Sequence, residues 1–159
     1  MSNKRPILLA TDGSPSAADA QREALELAQL LGAPLVVVSV AHAALPVVGY
    51  GTYGYSNIVS ELTEAEHKRV DELLASIAET AEEAGLSCST VAADGLAVEE
   101  ICRSATDYDA QLVVVGSHGW GTAKRLFSGS VSTGLVHQAP CPVLVVRPAR
   151  HAGEQTAAA

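Results

Sequence analysis

The chain has 159 residues, 48% of them hydrophobic, which is enough for one ordinary core and too few for two large domains. Eighteen Asp and Glu against ten Lys and Arg leave a formal net charge of −8, which opposes binding to nucleic acid or to an anionic membrane surface. The basic residues are scattered, and the one suggestive group, Lys124, Arg125 and Arg147 near a glycine cluster, suits a small anion.

Met1 to Pro6 lacks the apolar stretch and small-residue cleavage site of a signal peptide, so a cytoplasmic protein is expected. Ile7-Leu8-Leu9-Ala10 reads as a first strand that hands over to a helix at Thr11-Asp12-Gly13, with Ser14 as N-cap and Pro15 at the first helical position. Ala17, Ala20, Ala24, Leu27, Ala28 and Leu31 give that helix an apolar stripe, and Gly32 before Pro34 ends it. Leu35-Val36-Val37-Val38-Ser39-Val40 is β-branched and nearly continuous, as a parallel strand covered on both faces requires. Residues 27–60 carry no Asp, Glu, Lys or Arg, but Pro34, Pro46 and the glycines of this stretch exclude a membrane span; a buried strand and a glycine-rich loop explain it.

That loop runs from about residue 41 to 56 and includes a Gly/Tyr run at 49–55. Thr63 and Glu66 have capping-box spacing, and Val70, Leu73, Leu74, Ile77 and Ala81 form the stripe of a second, longer helix that stops at Gly85. Residues 87–92 are expected as a third strand, 98–105 as a short helix, 111–115 as a fourth strand, 130–138 as a last helix and Val143 to Val146 as a fifth strand. Residues 1–148 thus make one domain, and 149–159, without apolar periodicity, are expected as a disordered tail. Cys88, Cys102 and Cys141 form no Cys-x-x-Cys and have no His at metal-ligand spacing, so neither a disulfide framework nor a metal site is expected.

Alternating strands and helices point to a doubly wound α/β sheet, in which ligands lie beyond the carboxyl ends of the strands where strand order reverses. Beyond the fourth strand comes Gly116-x2-Gly119-x9-Gly129-Ser130, with glycines at a strand mouth and at a helix start. Such a pattern gathers backbone donors around a phosphate, and the chain reads as a nucleotide binder. Other phosphate and acyl chemistries fall away. Thr122 stands where the Walker lysine would be, the first turn has no G-x-G-x-x-G, and no G-x-S-x-G elbow occurs. No carboxylate cluster beyond Asp12 is visible for a catalytic magnesium, so any hydrolysis is expected to be slow.

Asp12 after the first strand, the glycine pattern after the fourth and the closing Pro140-Cys141-Pro142-Val143-Leu144-Val145-Val146 together resemble the universal stress protein family, over about residues 5 to 148. The resemblance implies a Rossmann-like five-stranded parallel sheet of order 3-2-1-4-5, of the adenine nucleotide α-hydrolase kind. It implies ATP, ADP or AMP as ligand, with Mg²⁺ where ATP brings it. Ala10, Thr11 and Asp12 would flank the nucleoside, Asp12 bonding the adenine or ribose, and Val40 would meet the adenine through its backbone. Gly116 would admit the ribose, His118 and Gly119 would line the phosphate path, and Gly129, Ser130, Val131 and Ser132 would offer amides and hydroxyls to the phosphates.

Several of these residues admit a plainer role. Asp12 could cap the first helix, although Ser14-Pro15 offers a better cap; His118 could be an idle loop residue; Trp120, Lys124 and Arg125 could be edge or solvated side chains. The functional reading is a regulatory nucleotide-binding stress-response module, with a slow ATP-hydrolysing or phosphate-transferring enzyme and a nucleotide-free dimeric scaffold as alternatives. A homodimer is expected through Val143 to Val146, whose apolar edge would otherwise lie bare.

Overall fold

Five uncharged strand cores set the architecture. The computed structural model describes residues 4–41, 55–117 and 130–148, with residues 55–59 and 130 described by backbone alone. In chain order these are β1 (Ile7–Ala10), α1 (Pro15–Leu31), β2 (Leu35–Ala41), α2 (Tyr55–Glu83), β3 (Cys88–Asp94), α3 (Ala97–Asp107), β4 (Leu112–Gly116), α4 (Ser130–Gln138) and β5 (Val143–Val146). The strands form one parallel sheet in the order β3-β2-β1-β4-β5, as expected.

β1 and β2 are buried along their whole length because helices cover both faces. Alternation assigns the two faces. Ile7, Leu9, Leu35, Val37 and Val114 pack under α1 and α2, whose contributions include Ala20, Ala24, Val70, Leu74 and Ile77. Leu8, Val36, Val38, Val113 and Val115 pack on the other side with Ile101 and Ala105 of α3 and Leu135 of α4. The buried positions of α1 are Ala17, Ala20, Ala24 and Ala28, small side chains that let the helix lie close to the sheet. Leu31, expected in that stripe, is instead 42% exposed, because α1 is ending there and turns away from the sheet through Gly32.

Three helices end in the same way. Gly32 N–H donates to Gln29 O and Ala33 N–H to Ala28 O; Gly85 to Glu82 and Leu86 to Ala81 repeat the pattern, as do Asp109 to Thr106 and Ala110 to Ala105. This is the Schellman closure, with the first donor of each pair, Gly32, Gly85 or Asp109, in the left-handed region. The third helix uses Asp109, at φ 49°, where the first two use glycine.

Element boundaries differ from expectation where no local breaker exists. α2 begins at Tyr55, eight residues before the Thr63–Glu66 box, so Tyr55 and Ser56 belong to a helix and not to the preceding loop. Residues 55–62, Tyr-Ser-Asn-Ile-Val-Ser-Glu-Leu, hold neither Gly nor Pro, and the helix runs through Thr63. β3 extends to Asp94, α3 spans Ala97–Asp107 and β4 reaches Gly116, each a residue or two beyond the sequence reading. Residues 49–54 and the tail 149–159 lie outside the described residues.

Candidate functional site

Strand order reverses between β1 and β4, whose last residues run side by side: Ala10 is level with Val38 on one flank and with Val115 on the other. The turn that leaves β1 is tied down bond by bond. Thr11 N–H continues the ladder to Val38 O at 3.0 Å, and Thr11 Oγ1 accepts from Gly13 N–H at 3.2 Å. Asp12 Oδ1 accepts from Ser14 N–H at 2.9 Å. Ser14, the N-cap of α1, makes no side-chain bond to the helix backbone, and its hydroxyl pairs with that of Ser16 at 3.1 Å. This is an Asx turn: the Asp12 carboxylate shapes the entry into α1 through the N–H of the N-cap residue.

Ala10, Thr11 and Val40 are buried, whereas Asp12 is only half-buried. Gly116 ends β4, and Ser117 N–H donates to Val146 O at 2.8 Å. A Cβ on Gly116 would stand 3.1 Å from Ser16 O and 3.5 Å from Ala17 Cα, so the absence of a side chain lets the first turn of α1 close on the end of β4. This reason for a glycine is structural and independent of any ribose. α4 then starts at Ser130; Val131 packs against the core under α3 and α4, and Ser132 is buried. His118, Gly119 and Gly129 lie outside the described residues, as do Trp120, Lys124 and Arg125.

The structure also brings in residues that the sequence reading passed over. Arg69, on α2, donates from Nη1 to the carbonyl of Asp12 at 3.0 Å across 57 positions of sequence. Its Nε and Nη2 hold both carboxylate oxygens of Glu66, at 2.8 and 2.7 Å. The hydrogen bond to Glu66 raises the guanidinium further above its ordinary range, and the charges of Glu66 and Asp12 add to this against partial burial. Glu66 read as half of a capping box; the structure also gives it Arg69, one helical turn further on.

One strand further out, α2 and the ends of β2 and β3 enclose a cleft of about 260 Å³ whose lining includes Ala41, Val70, Asp71 and Ala93. At its edge His67 Nε2 and Asp94 Oδ1 lie 2.6 Å apart. The hydrogen bond with Asp94 and the charge of Asp94 raise the pKa of His67 above its ordinary 6.5 against desolvation, and the charges of Asp71 and Glu66 add to the rise. The three cysteines are free, and burial pushes every thiol up, with Glu82 adding to the effect at Cys88. They are weak nucleophiles near neutral pH. Among the described residues no three His, Cys, Asp or Glu side chains are grouped as a metal centre needs, and no helix is long and apolar enough to cross a membrane.

Comparison with known proteins agrees with this fold. The sequence model of the universal stress protein family matches residues 4–147. A universal stress protein of Thermus aquaticus is 38% identical over 144 residues, covering 90% of this chain and 98% of the relative. The structure of universal stress protein UspA from Lactobacillus plantarum superposes with a TM-score of 0.77 at 27% identity, covering 91% of this chain and all of the other. Two more distant structures share the fold and are described with ligands. One is a universal stress protein from Archaeoglobus fulgidus in complex with dAMP (TM-score 0.58, 24% identity, 89% and 97% of the two chains). The other is a universal stress protein family protein from Arabidopsis thaliana with AMP bound (TM-score 0.63, 20% identity, 91% and 92%).

Proposed function

Because the chain belongs to the universal stress protein family, we propose that it binds an adenine nucleotide at the β1/β4 reversal and works as a regulatory stress-response module. The observation that carries this reading is the meeting of the Asp12 turn and the glycine-ended β4 at the one place where strand order reverses. Ligands of open α/β sheets sit at that place. The half-buried Asp12 carboxylate is the polar group suited to an adenine amine or a ribose hydroxyl. Backbone groups of Ala10, Thr11 and Val40 flank it, and the ribose end faces Gly116.

The phosphates belong at the other end of the crevice. Val131 and Ser132 direct little side chain to solvent, so α4 would offer the amides of its first turn, which carry the positive end of the helix dipole. His118, Gly119, Gly129 and Ser130 are assigned to the same phosphate path. ATP, ADP and AMP share the adenosine end, and a Mg²⁺ arriving with ATP would rest on the phosphates themselves. A homodimer paired through β5 (Val143 to Val146) would carry the nucleotide state to a partner surface, and a cytoplasmic location suits a chain of this charge.

Calorimetric titration with ATP, AMP and GTP tests the reading. The expected outcome is a Kd on the order of micromolar for the adenine nucleotides, about 8 kcal/mol of binding free energy, with GTP weaker. Phosphate release followed on the same samples should be very slow. No heat with any of the three nucleotides would leave a nucleotide-free scaffold, and rapid phosphate release would make the protein an enzyme.

A further inference from the structure

We propose that Arg69 is the positioning residue of the nucleotide turn: from α2 it holds the Asp12 peptide and so sets the direction in which Asp12 meets the nucleoside. This rests on the adenine-nucleotide reading and adds a residue, on a different element, that no motif of that site contains.

The geometry has three parts. First, the guanidinium is itself held. Glu66 takes two of its nitrogens in a planar, charge-assisted fork, which leaves Nη1 aimed at the Asp12 carbonyl 3.0 Å away. Second, the Asp12 peptide is the one whose rotation matters. Asp12 Oδ1 is bonded to Ser14 N–H and Gly13 N–H to Thr11 Oγ1, so the carbonyl bond to Arg69 joins a set of contacts that fixes the turn on both sides of the Asp12 side chain. Third, α2 covers the turn by packing as well. A Cβ on Gly13, which sits at φ 73°, would lie 3.0 Å from Leu73 Cδ2 and 3.5 Å from Arg69 Nη1. Arg69 and Leu73 are one helical turn apart, so the same face of α2 provides the polar clamp and the apolar lid of the turn.

The consequence is directional. Arg69 acts on the adenosine end of the ligand through Asp12, and its removal should weaken ATP and AMP by the same factor. A cation that touched the phosphates would instead cost ATP more than AMP.

The test is calorimetric titration of the wild type, Arg69→Met, Arg69→Lys, Glu66→Gln, Asp12→Ala and the Arg69→Met/Asp12→Ala double variant with ATP and with AMP. Arg69→Met should weaken both nucleotides about tenfold, and Glu66→Gln, which only loosens the fork, about threefold. Arg69→Lys should recover part of the loss, because an ammonium can reach one carbonyl but not span the fork. In the Asp12→Ala background the further loss from Arg69→Met should vanish, a coupling that a merely structural role would not produce. Unchanged affinity in Arg69→Met, an additive double variant, or a loss confined to ATP would each overturn the proposal while leaving nucleotide binding intact. A wild type that binds neither nucleotide would overturn the functional reading and this inference together. Should Arg69→Met fail to fold, Glu66→Gln and Arg69→Lys carry the same comparison.

Discussion

At Asp109 one residue carries the cost of a conformation that the ends of α1 and α2 assign to glycine. It closes α3 at φ 49°, and the strain of a left-handed non-glycine residue is on the order of 1 kcal/mol. Asp109 also pairs with Arg5 at 2.8 Å, but the pair is largely exposed, and exposed pairs contribute little. The other links of Arg5 are to the carbonyls of Asp109 and Ala110, and they do not need the side chain. Asp109→Gly is therefore expected to raise stability by about 0.5 kcal/mol, read as a shift in the midpoint of urea unfolding at unchanged slope. A lower midpoint would mean that the Arg5 pair outweighs the backbone strain. Gly116 was legible as special from the sequence alone, where it read as room for a ligand. A second reason was not legible: a Cβ there would crowd the α1 backbone at Ser16, a contact between elements a hundred residues apart.

Among the elements, α2 departs furthest from what local pattern could tell. Its buried stripe, Val70, Leu74, Ile77 and Ala81, was legible because helical periodicity is written in neighbouring residues. Its start was not, since a capping box marks a helix end only where the preceding chain cannot stay helical. Its two links to strand ends, Arg69 to Asp12 and His67 to Asp94, were invisible because nothing in spacing pairs residues 57 or 27 positions apart. The second link is pH-dependent. Asp94, with Asp71 and Glu66, raises the pKa of His67 in the folded protein, so protonation favours the linked state. Its contribution is full below the ordinary histidine value of 6.5 and is lost as pH rises through the raised value. Two-dimensional NMR of the imidazole resonances should place the His67 midpoint above 6.5 in the wild type and lower it in Asp94→Asn. An identical midpoint in the two proteins would remove Asp94 as the cause.

For the whole molecule, the strand runs and the helix periodicity established an α/β domain, but the order β3-β2-β1-β4-β5 came only with the resemblance, since strand neighbours are a long-range property. That order puts β5 at an edge, with all four residues half-buried. Pro142 O accepts from Val113 N–H and Val146 O from Ser117 N–H, so the even-numbered residues of this strand direct their backbone groups to β4. By alternation, Val143 and Val145 direct theirs outward. An apolar edge with outward donors and acceptors is a template for a second strand, and the proposed dimer would satisfy it with a copy of itself. Val145→Pro removes one outward N–H without touching a bond to β4, which proline tolerates on an edge. Light scattering at tens of micromolar should give twice the mass of the chain for the wild type and the mass of one chain for Val145→Pro, with circular dichroism unchanged. A monomeric wild type would remove the dimer, and a Val145→Pro variant that stays dimeric would place the interface elsewhere than on the β5 backbone.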